Sequence, residues 1–202
     1  NIVHAELLTS RTAASYVTAL HATHQFFKDC GYPLPNTLRL DNETSKELVG
    51  AMRLAWGTRI EYVPPGDHRA NKAERTIGTR KDHIIATWAT VPRDFELGYN
   101  WSLTIPQCLL TLNLMRAWAC DPTKSAYEGL HGAPFDFNKH PMAPVGTKVV
   151  VFESRKNRAS WDPHGQMAHY LGPAMDHYRC WNVLVAKTNS VRVSNALYWL
   201  LD

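Results

Sequence analysis

Two carboxylates, Asp41 and Glu74, have the surroundings that metal-assisted chemistry requires. Asp41 closes a short apolar run over residues 37–40, and Glu74 falls early in a helical segment that follows Pro64, Pro65 and Gly66. Between them the sequence predicts an amphipathic helix, capped by Thr44, with Leu48, Val49, Met52, Leu54 and Trp56 as apolar positions. A strand over residues 59–63 follows it. Carboxylates brought to one sheet edge can hold a hard divalent cation through oxygen. A pair of such cations activates a nucleophile and stabilises the leaving oxygen in phosphoryl transfer. Asp41 stands where ligands gather in open α/β sheets, beyond the carboxyl end of a strand. The same position also suits a residue that turns the chain before Thr44, and Glu43 is a substitute carboxylate.

Glu74 has informative neighbours. Positions three, four and seven away on a helix share its face, and these are Asn71, Ile77, Gly78 and Lys81. An acid beside an amide, a bare glycine and a lysine makes a poor core face and a good shallow floor for a ligand. Gly78 costs a helix about 1 kcal/mol against alanine, which close approach of a ligand backbone would justify. The plain alternative is a solvated helix face. Arg69, Lys72, Arg75, Arg80 and Lys81 cluster around the acid, as phosphate contacts would. His68 and His83 lie near but lack the spacing of a zinc site.

The elements that must position these groups alternate. Residues 2–8 are expected as a strand, and residues 12–30 as a helix stopped by Gly31 and Pro33. Then come the strand at 37–40, the Thr44 helix and the strand at 59–63. That order argues for an α/β unit with parallel strands. A helix over 70–89 follows, with Ile77, Ile84, Ile85 and Trp88 as its buried side. Another over 105–118 carries Pro106 in its first turn, and a short one covers 125–130. Pro134, Pro141 and Pro144 make 133–146 a linker or wrapping loop. From Thr147 short β-like runs at 148–152, 169–171, 178–185 and 191–199 predict a small antiparallel sheet or barrel. The expected division is therefore 1–132, a linker at 133–146 and an all-β segment at 147–202. Of the tryptophans in this last part, Trp161, Trp181 and Trp199, core packing is favoured over base stacking. Arg155, Lys156 and Arg158 form an exposed charged turn within reach of phosphate.

The bulk properties fit this reading without demanding it. The chain has 202 residues, 45% of them hydrophobic and 20% charged, which describes a folded chain and excludes a disordered one. A formal charge of +4 is compatible with a polyanionic partner. The four cysteines, Cys30, Cys108, Cys120 and Cys180, show no metal or disulfide spacing and are expected as reduced, partly buried thiols. No apolar run approaches the ~18 residues of a membrane span, and the N-terminus lacks a signal-peptide layout, so the nucleus or cytoplasm is expected. The chain starts at Asn1, without Met, inside an expected strand, as an excised piece of a longer polypeptide would.

Taken together, the pattern L-x-x-D-N-E before one helix and P-P-x-x-H-R-x-N-x-A-E-R opening the next resembles the catalytic core of retroelement integrases. It is most similar to integrases in retrotransposon polyproteins of the copia type. The likeness continues through LTLNLMRAW, SAYEGLHGAPFDFNKHPMAPVGTKVVV and WDPHGQMAHYLGPAMDHYRCW. It implies a ribonuclease-H-like fold with an Asp, Asp, Glu site for Mg2+ or Mn2+, and polynucleotidyl transfer joining element ends to target DNA. By that resemblance Asp41 is the second acid and Glu74 the third, at an interval slightly shorter than the family's. Asn71 orients the site, and Lys81 touches DNA, with Arg69, Lys72 and Arg75 as further DNA contacts. The implied partners are double-stranded DNA and further copies of the chain assembled on it. The family's first acid belongs to a strand upstream of Asp41, where this chain offers Glu6 and Asp29, and neither fits. The first strands and the first acid are therefore expected to be missing, leaving this piece inactive by itself. The alternatives are a non-catalytic DNA-binding or assembly module, and an inert remnant of a mobile element.

Overall fold

The computed structural model describes residues 1–33, 35–40, 46–63 and 72–200. It is a mixed α/β structure that divides into two compact units, Asn1–Arg80 and Lys81–Asp202.

In the first unit, helix α1 (Ala13–Asp29) starts where Thr12 Oγ1 accepts the Ser15 amide, and the chain turns at Gly31 with φ +84°. Strand β1 (Thr37–Leu40) leads to helix α2 (Lys46–Trp56) and then strand β2 (Arg59–Tyr62). The two strands are parallel, in register from Thr37 opposite Arg59 to Leu40 opposite Tyr62. Parallel neighbours need a crossover, which α2 supplies. Leu48, Val49 and Met52 bury its inner stripe, and Gly57 ends it with φ +60°. Leu54, expected on that stripe, is 91% exposed. At ~100° per residue it lies about 200° round the helix from Met52. Thr44 and the capping expected of it lie outside the described residues.

The strand expected at residues 2–8 is not formed: this segment carries neither helix nor strand. Within it Val3 is buried and the His4 ring stacks 4.2 Å from Phe26 of α1, while Leu7 and Leu8 are exposed. Among the described residues the sheet of this unit has two strands.

Helix α3 (Lys72–Trp88) is less apolar than expected. Its less exposed stripe runs through Thr76, Arg80, His83, Ile84, Thr87 and Trp88. Ile77 and Ile85 flank that stripe and are exposed.

In the second unit a 3-10 turn, Arg93–Phe95, precedes helix α4 (Leu97–Met115), with Glu96 in the left-handed region between them. Helix α4 thus starts eight residues earlier than expected, and Pro106 lies inside it. An interior proline forfeits one backbone bond at a cost of about 3 kcal/mol. Here its ring faces solvent while Ile105, Cys108, Leu109 and Leu112 are buried around it. Met115, expected to pack, is exposed. Helix α5 (Ala126–His131) is capped by Ser125, whose hydroxyl accepts the Glu128 amide at 3.0 Å, and it ends on Gly132 with φ +74°.

Five antiparallel strands complete this unit: β3 (Lys148–Phe152), β4 (Gly165–Pro173), β5 (Trp181–Val185), β6 (Ser190–Ser194) and β7 (Leu197–Trp199), in the order β6-β5-β4-β3-β7. Alternation puts Val149, Val151, Ala168, Tyr170, Val183 and Val185 on one face, with Trp181 and Trp199 packed against them. A second cluster, Phe95 with Leu171 and Leu184, joins helix to sheet. The single run expected over 191–199 is two strands, because Ser194 turns the chain by bonding around Ala196. Residues 133–146 form no helix or strand and are tied down by Gln107 and Trp181, which donate to the Ala143 and Pro141 carbonyls at 2.6 and 2.8 Å.

Candidate functional site

The first unit places the carboxyl ends of β1 and β2 side by side. Asp41 follows Leu40 in sequence, but it lies outside the described residues, as do Arg69 and Asn71. Glu74 occupies the first turn of α3, where the positive end of the helix dipole favours an acid, and it is half-buried. Lys72 is the first residue of α3, its side chain likewise undescribed. Arg75 and Gly78 are exposed, as is Lys81, while Arg80 is half-buried. A Cβ placed on Gly78 would meet no described atom within 4 Å, so packing among these residues does not explain the glycine. On the sheet, Arg39 and Glu61 pair across the strands at 3.4 Å.

The chemistry of Glu74 suits a hard cation. Among the described residues, however, no three His, Cys, Asp or Glu side chains come together. Of the expected histidines, His68 lies outside the described residues and His83 is engaged with Thr111.

In the second unit the expected tryptophans divide. Trp181 and Trp199 are core, with rings 5.8 Å apart and perpendicular, whereas Trp161 is 98% exposed. Trp161 shares its loop with Arg155 and Lys156, both exposed in a 3-10 turn. Arg192 reaches Glu153 at 2.9 Å and the Phe152 carbonyl, fastening the edge strand β6 to the end of β3.

Two polar constellations escaped the sequence reading. Lys148 Nζ and His169 Nε2 stand 3.2 and 3.7 Å from the same oxygen of Asp94. Burial opposes the charge on Asp94, yet the Lys148 ammonium prevails and holds the carboxyl below its usual range. Burial lowers the His169 pKa against the pull of Asp94. The second constellation joins α3 to α4 through two hydroxyls. His83 Nε2 meets Thr111 Oγ1 at 2.9 Å, and the Trp88 indole donates to Thr104 Oγ1 at 2.9 Å. The four cysteines are free, and burial raises the Cys108 thiol pKa. Among the described residues no helix is long and apolar enough to cross a membrane.

No protein-family model matches the chain. No curated protein matches it. Among solved structures, the chain is similar to one in the cryo-EM structure of the simian T-cell lymphotropic virus intasome in complex with the PP2A regulatory subunit B56 gamma. The TM-score is 0.43 at 16% identity, over 96% of this chain and 66% of that one, so this chain spans just under two thirds of its length.

Proposed function

We propose that the chain is part of an integrase-type polynucleotidyl transferase with a ribonuclease-H-like core, in which Asp41 and Glu74 are two of three catalytic acids. The observation that carries this reading is the order of elements at the β1–β2 pair. A parallel strand ends immediately before Asp41, a helix crosses over, and the second strand is followed by a helix with Glu74 in its first turn. Open α/β sheets bind ligands at that edge. Mg2+ or Mn2+ would be held by the two carboxylates and a third acid upstream of this chain, and would supply activation of the attacking oxygen. Arg69, Asn71, Lys72, Arg75 and Lys81 would position double-stranded DNA through its phosphates, with several copies assembled on the DNA. In this reading the core ends near residue 132, residues 133–146 link it onward, and the five-stranded sheet is a separate C-terminal segment.

Strand transfer of an oligonucleotide end into plasmid DNA, with Mg2+ or Mn2+ and with the upstream sequence restored, tests the proposal through Glu74→Gln. Loss of transfer supports it. Salt-dependent DNA binding indifferent to both metal and Glu74→Gln would assign a non-catalytic DNA-binding or assembly module instead. Absence of DNA binding at low salt would favour an inert remnant.

A further inference from the structure

Strand β6 (Ser190–Ser194) is one edge of the five-stranded sheet, and among the described residues no strand pairs with its outer side. Folded chains commonly guard such an edge with proline, lysine, a bulge or a very short strand. β6 runs in unbroken register with β5, from Ser190 opposite Val185 to Ser194 opposite Trp181, and contains no proline or lysine. The opposite edge, β7, is shorter. Val191 and Val193 stand on one face of β6, 49% and 43% exposed. The one charge in the strand, Arg192, is occupied within the chain. Its guanidinium reaches Glu153 at 2.9 Å and donates to the Phe152 carbonyl at 2.6 Å.

The order of residue types in β6 selects what pairs with it. Ser-Val-Arg-Val-Ser reads the same in both directions about Arg192. An antiparallel copy related by a dyad through Arg192 puts Val191 opposite the second copy's Val193, and Ser190 opposite its Ser194. Valine then meets valine on one face and serine meets serine at both ends, pairs that stabilise neighbouring strands. Like charges facing each other at the dyad would oppose this, but each Arg192 is neutralised by its own Glu153. We infer that β6 is a self-pairing edge, which joins two copies of this chain antiparallel about Arg192 into one continuous sheet. The pairing needs neither DNA nor metal, so it stands or falls apart from the proposed strand transfer. A contact confined to one short strand is smaller than a standard interface, so the dimer dissociates on dilution.

Sedimentation equilibrium of the full chain without DNA, from micromolar to millimolar concentration, tests the association. The expected result is a monomer–dimer equilibrium. Val193→Lys, at an exposed position, is expected to weaken it at least about tenfold with Tm unchanged. Disulfide capture reads the register. Val191→Cys and a size-tagged Val193→Cys chain are mixed and oxidised, with the tagged and untagged parent as baseline for the native cysteines. Directly opposed positions lie within disulfide reach, whereas like positions sit diagonally, about 7–8 Å apart. The mixed disulfide is therefore expected in preference to either self-linked species and above the parent baseline. A monomer at every concentration, a dimer indifferent to Val193→Lys, or mixed cross-linking no higher than the baseline would overturn the assignment.

Discussion

Leu40 and Tyr62 are register partners at the carboxyl ends of two parallel strands. The residue after Leu40 is Asp41, and the chain beyond Tyr62 leads to the α3 turn that carries Glu74. The crossover helix α2 and the shared strand direction put the carboxyl ends of β1 and β2 at one sheet edge.

Gly78 discriminates a ligand floor from an ordinary helix face. A Cβ there meets open space, so Gly78→Ala is expected to stabilise the chain by about 0.5–1 kcal/mol through helix propensity alone. If α3 lies against DNA, the same change weakens DNA binding while raising Tm. Thermal melts and DNA titrations of one variant read both effects.

Gly129 gives the opposite outcome. A Cβ on it would fall onto the Trp118 ring, so Gly129→Ala is expected to destabilise by about 1–3 kcal/mol. Ser125→Ala, which removes the cap of the same helix, is expected to cost about 1 kcal/mol. Urea denaturation of both variants checks the ranking.

Stability should fall on mild acidification. Burial lowers the pKa of His24, His131, His140 and His169 from 6.5. The unfolded chain therefore takes up protons first as pH drops below about 6.5, and stability declines from there until the folded-state values are passed. Asp94, held low in the folded state, adds a further loss as pH falls through the carboxylate range. Chemical denaturation between pH 7.5 and 4.5 should show stability flat at the top and falling below about 6.5. His169→Gln should flatten part of that fall.

Arg75 and Lys81 are exposed on α3. If they contact phosphates, replacing both by alanine should reduce the slope of log affinity against log salt by about two, with no change in sequence preference. An unchanged slope would place them away from the DNA.

Elements with strong local signals were legible in the sequence. Strands β1 and β3, the end of α2 at Gly57 and the short helix α5 lie where turn chemistry and periodicity put them. Helix α4 was not legible in its first half, because Pro106 reads as a helix start and only the buried face around it keeps the helix going. Residues 2–8 read as a strand because short apolar content does not reveal whether a ladder partner exists, and here the contact with α1 runs through the His4 ring. At the candidate site Glu74 is on its helix as expected, while Asp41, Asn71 and Arg69 lie outside the described residues. His83 with Thr111, and Asp94 with Lys148 and His169, join residues distant along the chain, and spacing carries no trace of such contacts.

The most direct measurement is strand transfer by the chain with its upstream sequence restored, comparing the parent with Glu74→Gln in Mg2+ and Mn2+. Metal-dependent joining by the parent is expected, with a loss of at least about a hundredfold in the variant and DNA binding and Tm retained. Joining that proceeds unchanged in Glu74→Gln would contradict it.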